Sequence, residues 1–383
     1  MGELVPVSGY DATLRTNYRH KAFVPFPLPS EVSLSQATHK LLGLAERGLG
    51  RLDAAAARLP NPNLLVSPAI YREAVSTSAI EGTFAPLVDV LEAEVAPSLG
   101  RSHEVLEILN YIRAAQKGLT LIERKPLCLS VVAELQAVLV AGTRGDMSDS
   151  GGLRTSQVYI GERHRGIEHS RFLPPPPGES LQRGMTEWEK WVNAEDDVPT
   201  VAKVALTHYQ FETLHPFSDG NGRLGRLLVV LQLVAEGVLR HPILSLSPWL
   251  EPRKDEYKDH LLSVSATGEF EPWVAFFARA VIAQAGDTES RMDAIEEIRV
   301  RTLGQLRTAR AKGVVIDLVD TIIANPVITV PRAADAHGVT FPPANNAIDK
   351  LVSMGFLEEI TGRAYGRVFF CREVMDVLQS PSS

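Results

Sequence analysis

The densest chemistry in the 383-residue sequence is the string His215-Pro216-Phe217-Ser218-Asp219-Gly220-Asn221-Gly222-Arg223-Leu224-Gly225-Arg226. Gly220 and Gly222 let backbone N–H groups approach an anion closely. The apolar run that follows predicts a helix over about 223–237, and the positive end of such a helix faces the same point. Arg223 and Arg226 are spaced i, i+3 and share one face of its first turn. Two guanidinium groups there can hold a phosphate chain by charge-assisted bonds. Asp219 offers the hard oxygen that suits Mg²⁺ bridging phosphates. His215 stands just ahead, placed to accept a proton from an attacking hydroxyl. Base, metal ligand, anion nest and phosphate clamp in one loop are equipment for nucleotidyl or phosphoryl transfer. Each residue alone reads better as part of a solvated turn; the whole string outweighs that reading. No Gly-Lys-Ser/Thr follows a Gly-rich turn, which excludes a Walker-type ATPase.

The string has to be positioned by helices. Helical spacing of apolar residues predicts them over 32–59, 68–80, 86–95, 103–118, 129–141, 179–194, 199–212, 252–266 and 270–284. Asn61-Pro62-Asn63 and Gly82 break the pattern. Residues 1–35 are Pro-rich and poorly periodic and predict an extended arm. The stretch 142–180 holds several glycines, a β-like piece Gln157-Val158-Tyr159-Ile160 and four prolines from Pro174 to Pro177. It predicts a long loop containing a hairpin, and long loops in compact domains are often functional. Residues 285–310 are polar and helical, the signature of a solvent-facing connector. Residues 313–372 run helix, short strand, helix, helix and two β segments, the layout of a winged helix. The fold class is therefore mainly α. The expected domains are 1–100, an N-terminal arm and helical region; 101–285, the core; 286–312, the connector; and 313–383, the winged-helix-like domain.

Hydrophobic residues make up 45% of the chain and charged residues 22%, which excludes wholesale disorder. A net charge of -7 argues against a whole-chain grip on nucleic acid or anionic membrane. Cys128 and Cys371 are too few for a disulfide framework or a cysteine-rich zinc site and suit a reducing compartment. The N-terminus lacks a secretory pattern, and the strongest apolar run, 227–239, is too short and too polar to span a bilayer. The expectation is a cytoplasmic protein with no membrane partner.

The string matches the pattern His-x-Phe-x-Asp/Glu-Gly-Asn-Gly-Arg-x-x-Arg at every specified position, and so resembles the motif of the Fic-domain family. Thr207 to Leu214 resembles the helix that enters that motif. Gly152-Leu153-Arg154 through Gly161, with Phe172 to Pro177, resembles the family's flap, and Tyr257, Gly268 and Trp273 to Phe277 the segment closing the core. The similarity covers about residues 10–285. It implies a Fic-type helical core with a small β-hairpin flap. The implied activity is that of a protein adenylyltransferase: AMP moves from ATP to a Ser, Thr or Tyr hydroxyl of a target protein, or of the enzyme itself, and pyrophosphate leaves. Carried onto this chain, His215 is the base and Asp219 holds Mg²⁺. Phe217, Gly220, Asn221, Gly222, Arg223 and Arg226 form the ATP and phosphate site. Gln157, Val158, Tyr159, Ile160 and Gly161 form the flap that registers the target by strand addition. Tyr257 is a candidate for the nucleoside pocket. A homodimer is a further implication.

Thr77-Ser78-Ala79-Ile80-Glu81-Gly82 resembles the inhibitory motif Ser/Thr-x-x-x-Glu-Gly/Asn of the relatives that carry it upstream. The resemblance implies self-inhibition through a Glu81–Arg226 pair, which would occupy the cation meant for the γ-phosphate. In some relatives the same Glu supports de-AMPylation, which this sequence leaves open.

The rival reading is a nucleotide-sensing, DNA-binding regulator that uses the winged-helix domain. From 301 to 383 there are nine Lys/Arg against eight Asp/Glu, a balance of +1. The recognition helix offers Lys350 with Asn345 and Asn346, and the wing offers Arg363 and Arg367. A DNA binder usually shows a stronger basic face, so protein docking or dimerisation competes. His208 and Glu212 read as packing and hydrogen-bonding residues, His164 and His169 as solvated, the four tryptophans as core or interface anchors, and Cys128 as a small buried hydrophobe.

Overall fold

The computed structural model describes residues 2–11, 14–57, 63–96, 101–161, 165–362 and 366–380. The Asn61-Pro62 break, His164 and Arg363 lie outside the described residues. In chain order, strands β1 (Gly2–Asp11) and β2 (Thr16–Pro25) precede helices α1 (Gln36–Ala56), α2 (Asn63–Ile80), α3 (Leu87–Val95), α4 (His103–Ile122), α5 (Leu129–Val140), α6 (Glu179–Val192), α7 (Thr200–Leu214), α8 (Asn221–Ala235), α9 (Ser247–Leu250), α10 (Lys254–Thr267) and α11 (Glu271–Thr308). The C-terminal elements are α12 (Val314–Ala324), β3 (Val327–Thr329), α13 (Val330–His337), α14 (Phe341–Ser353), β4 (Glu358–Glu359), β5 (Val368–Phe370) and α15 (Arg372–Gln379). The fold is mainly helical, as the apolar periodicity requires. None of the described helices is long and apolar enough to cross a membrane.

The chain forms two compact units. The first holds Met1–Gly48, Arg113–Val238 and Leu250–Ile282. At its centre is α7, on which every residue from Val201 to Leu214 except Glu212 is buried. It packs against α6 and α8. Indole N–H groups fix it from two sides: Trp188 donates to Thr207 O at 3.1 Å and Trp273 to Ala205 O at 2.8 Å. Helix α8 comes close to α7 at Gly225, where a Cβ would lie 2.5 Å from Glu212 Oε1.

The N-terminus corrects the expected extended arm. β1 and β2 form an antiparallel hairpin in unbroken register from Gly2↔Pro25 to Asp11↔Thr16. Tyr18 and Ala22, on one face of β2, pack against Ile167 and Leu173. Pro6, which made the segment look irregular, sits opposite Lys21 on a strand of a two-stranded sheet, where its missing N–H is tolerated.

The second unit holds Leu49–Ile112, Leu239–Trp249 and Ala283–Ser383. Here α2 packs on α12 and α15. Arg72 of α2 reaches Asp287 of α11 at 2.9 Å, and Arg291 grips the same carboxylate through Nε at 2.9 Å and Nη2 at 3.0 Å. The C-terminal strands form a sheet in the order β3-β5-β4. The polar stretch after 285 does not form a separate element: α11 is one helix of 38 residues.

Candidate active site

Helix α7 ends at His215, whose N–H still bonds Phe211 O at 3.0 Å. His215 itself has φ 47° and ψ 60°, a left-handed conformation that is unfavourable for a residue bearing a Cβ. That reversal turns the chain out of the helix and leaves the imidazole half-buried. Its Nδ1 lies 3.4 Å from Glu212 O. A carbonyl oxygen only accepts, so this contact needs the proton on Nδ1 and puts the basic lone pair on Nε2.

The loop after His215 is tied from within. Phe217 N–H donates to Asn221 Oδ1 at 2.9 Å, and Asn221 Nδ2 donates to Phe217 O at 2.8 Å. Phe217 is fully buried, so its ring anchors the loop while its backbone meets the Asn221 amide. Gly220 caps α8 with φ 83°, and its N–H donates to Asp219 Oδ1 at 2.6 Å. Helix α8 begins at Asn221, so its first N–H groups, which have no intrahelical partners, open beside Asp219. Arg223 and Arg226 are 5% and 3% exposed, and Arg223 Nη2 lies 3.6 Å from Asp219 Oδ1. His215, Asp219 and Gly222 are partly exposed while Arg223 and Arg226 are buried, an arrangement whose backbone N–H and guanidinium groups could take an anion.

No group of three or more metal-ligating side chains occurs among the described residues. Asp219 is a single, partly exposed carboxylate that already accepts from Gly220 and faces Arg223. This suits Mg²⁺ arriving with a polyphosphate, which needs one or two protein carboxylates. It does not suit a resident metal cage.

The structure brings His215 to Arg226 together in one loop and helix of the first unit. Tyr257 is 2% exposed, and its hydroxyl lies 2.7 Å from His208 Nε2. It supports α7 from inside the core. Burial, with Arg226 nearby, pushes the His208 pKa down to about 3, so its ring is neutral. His208 stacks beside Tyr257 and Trp273, and Glu212 Oε1 lies 4.0 Å from His208 Nε2. Among the described residues, the flap shows one bridge, Ile160↔Phe172, where Ile160 N–H bonds Phe172 O at 2.9 Å. Gln157 to Tyr159 form no strand: on the Ile160↔Phe172 register, Val158 and Gln157 would face Pro174 and Pro175, which have no N–H to build a ladder. Gln157 instead donates through Nε2 to Pro174 O at 3.0 Å. In the second unit, Thr77 is fully buried, Glu81 is exposed and Gly82 takes φ 89°, closing the turn that ends α2.

Three supporting residues went unrecognised in the sequence. Gln136 on α5 donates to Asp219 O at 3.1 Å and accepts from Gly151 N–H at 2.7 Å. Asp149 accepts from Ser218 Oγ at 2.8 Å. Arg154 donates to His215 O at 2.8 Å. The signal for Gln136 was available: it is an amide on the otherwise apolar buried stripe Val132, Leu135, Leu139.

Residues 39–120 match the Fic/DOC family N-terminal model, and residues 126–233 match the Fic/DOC family model, which ends within α8. Residues 126–233 thus carry a Fic/DOC family domain, preceded by a Fic/DOC family N-terminal region. A protein adenylyltransferase Fic from Drosophila willistoni is 28% identical over 298 residues, covering 72% of this chain and 55% of the relative. One from Drosophila virilis is 30% identical over 222 residues, covering 55% of this chain and 41% of the relative. The chain thus spans about half the length of the curated relatives it matches. Among solved structures, a Fic family protein from Desulfovibrio desulfuricans G20 aligns with TM-score 0.58 at 18% identity, covering 90% of this chain and 98% of its own. Fic-1 from C. elegans aligns with TM-score 0.54 at 22% identity, covering 67% and 74%. Both show a shared Fic fold.

Proposed function

We propose that this chain is a protein adenylyltransferase that moves AMP from ATP to a Ser, Thr or Tyr hydroxyl of a target protein or of itself. The observation that carries this reading is the His215 ring: held at Nδ1 by a carbonyl, it presents Nε2 as the base at the mouth of an anion site. In the reaction, the target oxygen attacks the α-phosphorus while His215 Nε2 takes the hydroxyl proton. The α–β anhydride bond breaks, and pyrophosphate leaves with its bonding electrons. Helix α8's first N–H groups stabilise charge on the transferred phosphoryl oxygens. Arg223 and Arg226 neutralise the polyphosphate tail. Asp219 is the residue that would hold Mg²⁺, whose chemistry here is to screen the phosphate charge. Residues 157–161 register the target chain beside His215.

The activity is held down by Glu81, through pairing with Arg226. That pairing would displace the γ-phosphate and misalign the α-phosphorus. De-AMPylation by the same Glu remains within this reading as a second activity. The C-terminal elements speak for a protein-facing role over DNA binding. Arg367 is engaged by Asn345 at 2.8 Å and Asp349 at 3.1 Å, and Arg372 by Glu358 at 2.7 Å. These cations are neutralised within their own unit and offer little to a phosphate backbone.

The test is labelling with ATP carrying label at the α- or the γ-phosphate, plus Mg²⁺. Glu81→Gly protein is expected to retain α-label and no γ-label, wild type to show faint α-label, and Glu81→Gly/His215→Ala none. Retention of γ-label would replace adenylyl transfer by phosphoryl transfer.

A further inference from the structure

The strongest unassigned group in the first unit is Arg154. It is 1% exposed. Its Nε–H donates to His215 O at 2.8 Å, Nη1 to Ser156 O at 3.2 Å, and Nη2 to Pro175 O. Its backbone N–H donates to Pro216 O at 3.0 Å. All of these partners are carbonyl oxygens, and no carboxylate among the described residues pairs with it. Burial accordingly lowers its pKa to about 10. Burying a cation without a counter-charge is unfavourable, and filling space alone would be better done by an apolar side chain. What a guanidinium offers over Met or Leu is a rigid planar fork that fixes several acceptors at once.

We propose that Arg154 is a positioning residue for AMP transfer: it locks the His215 backbone, and with it the imidazole, in the same frame as the base of the target flap. The proposal rests on His215 acting as the base.

The geometry is specific. The direction of a side chain from its Cα follows from φ and ψ. At His215 the φ side is held by the N–H bond to Phe211 O. The ψ side is held by Arg154 Nε on the His215 carbonyl, and the next peptide by Arg154 N–H on Pro216 O. A left-handed conformation at a residue with a Cβ persists only where its surroundings over-determine it. The same guanidinium binds Ser156 O and Pro175 O, which bracket the flap on its two sides. One side chain therefore sets the position of the proton acceptor and the origin of the strand that presents the hydroxyl. Among the described residues, none of its hydrogen bonds goes to the α8 N-terminus, Arg223 or Arg226. Its loss should leave ATP binding in place and disable transfer.

The experiment compares Arg154→Lys and Arg154→Met, each in Glu81→Gly protein. Calorimetry with ATP and Mg²⁺ is expected to give a Kd within about threefold of the parent, because no phosphate-binding group moves. The initial rate of α-label incorporation is expected to fall about 100-fold in Arg154→Met, the scale of a slightly misplaced reacting group. It should fall only about tenfold in Arg154→Lys, which restores the charge and part of the bonding. A readout independent of turnover is the ¹H–¹⁵N spectrum of the histidine rings, with His215 assigned by its loss in His215→Ala. A single His215 signal in the parent that shifts or doubles in Arg154→Lys shows that Arg154 positions the ring; if the parent does not label, it is the adenylyl-transfer reading that fails, and the spectrum alone carries the positioning of His215. An unchanged His215 signal in Arg154→Lys, or ATP affinity and rate falling by the same factor, overturns it.

Discussion

The Asn221 side chain closes back on Phe217 in both directions, accepting its N–H at 2.9 Å and donating to its carbonyl at 2.8 Å. Both groups are buried. This clasp shapes the turn that carries Ser218 and Asp219 and delivers the chain into α8. Asn221→Ala leaves a buried N–H and C=O without partners, at about 1–3 kcal/mol each. The expected result is a Tm lowered by several degrees and labelling of Glu81→Gly protein reduced at least about 100-fold. Asn221→Asp keeps the acceptor and loses the donor, so it should lie between. Calorimetric scans and initial rates on one preparation check both.

Gly145 is where the loop after α5 touches Asp219. A Cβ there would sit 2.6 Å from Asp219 Oδ2 and 2.9 Å from its Cβ. Gly145→Ala must therefore push the carboxylate or the loop aside. The account expects a higher Mg²⁺ concentration for half-maximal labelling, by about tenfold, with Tm little changed. A Mg²⁺ titration at fixed ATP is the check.

His208 gives a pH dependence with a defined sign. Its folded pKa is pushed down to about 3 by burial and by Arg226, from an ordinary value of 6.5. Between those values the unfolded chain binds a proton there that the folded chain does not. Stability is therefore complete above about pH 6.5 and declines as pH falls, by up to about 1.4 kcal/mol per pH unit. Asp287 acts lower. Burial would raise its pKa, but Arg291 and Arg72 outweigh burial and hold it below the ordinary value, so its contribution is lost only below about pH 4. Wild-type Tm should drop between about pH 7 and pH 5, and His208→Gln should flatten that slope.

The helix that leads into Glu81 is tied into the second unit by the Arg72–Asp287–Arg291 cluster. Arg291 also reaches the end of α15, donating to Ser380 O at 2.8 Å. Asp287→Asn removes the carboxylate that both Arg72 and Arg291 grip, which costs about 3 kcal/mol and loosens α2. The expected outcome is a lower Tm and more autolabelling in protein that retains Glu81. In Glu81→Gly protein the same substitution should give no further increase.

The loop and helix start of the candidate site were legible because they are local: His215 to Arg226 lie on one stretch, and the turn and helix start need no tertiary information. Helices α5 to α8 were legible because their apolar spacing is strong. The β1–β2 hairpin was not, because Pro6 and Pro25 broke the alternation that Tyr18, Ala22 and Val24 carry. The flap was overread for the opposite reason: Gln157 to Ile160 have strand-like residues, but Pro174 to Pro177 cannot supply the donors. Gln136 and Arg154 acquire their roles from partners 83 and 61 positions away. Gln136 stands out as an amide on an apolar stripe, but neither residue's type names the distant carbonyl it bonds.

The central claim is that His215 accepts the proton as an adenylyl group is transferred, and that Glu81 restrains this. Intact-mass spectrometry after incubation with ATP and Mg²⁺ tests it most directly. Glu81→Gly protein should gain the mass of whole AMP groups, wild type should gain little, and Glu81→Gly/His215→Ala should gain none. An equal gain with and without His215, or a gain of phosphate alone, would contradict the account.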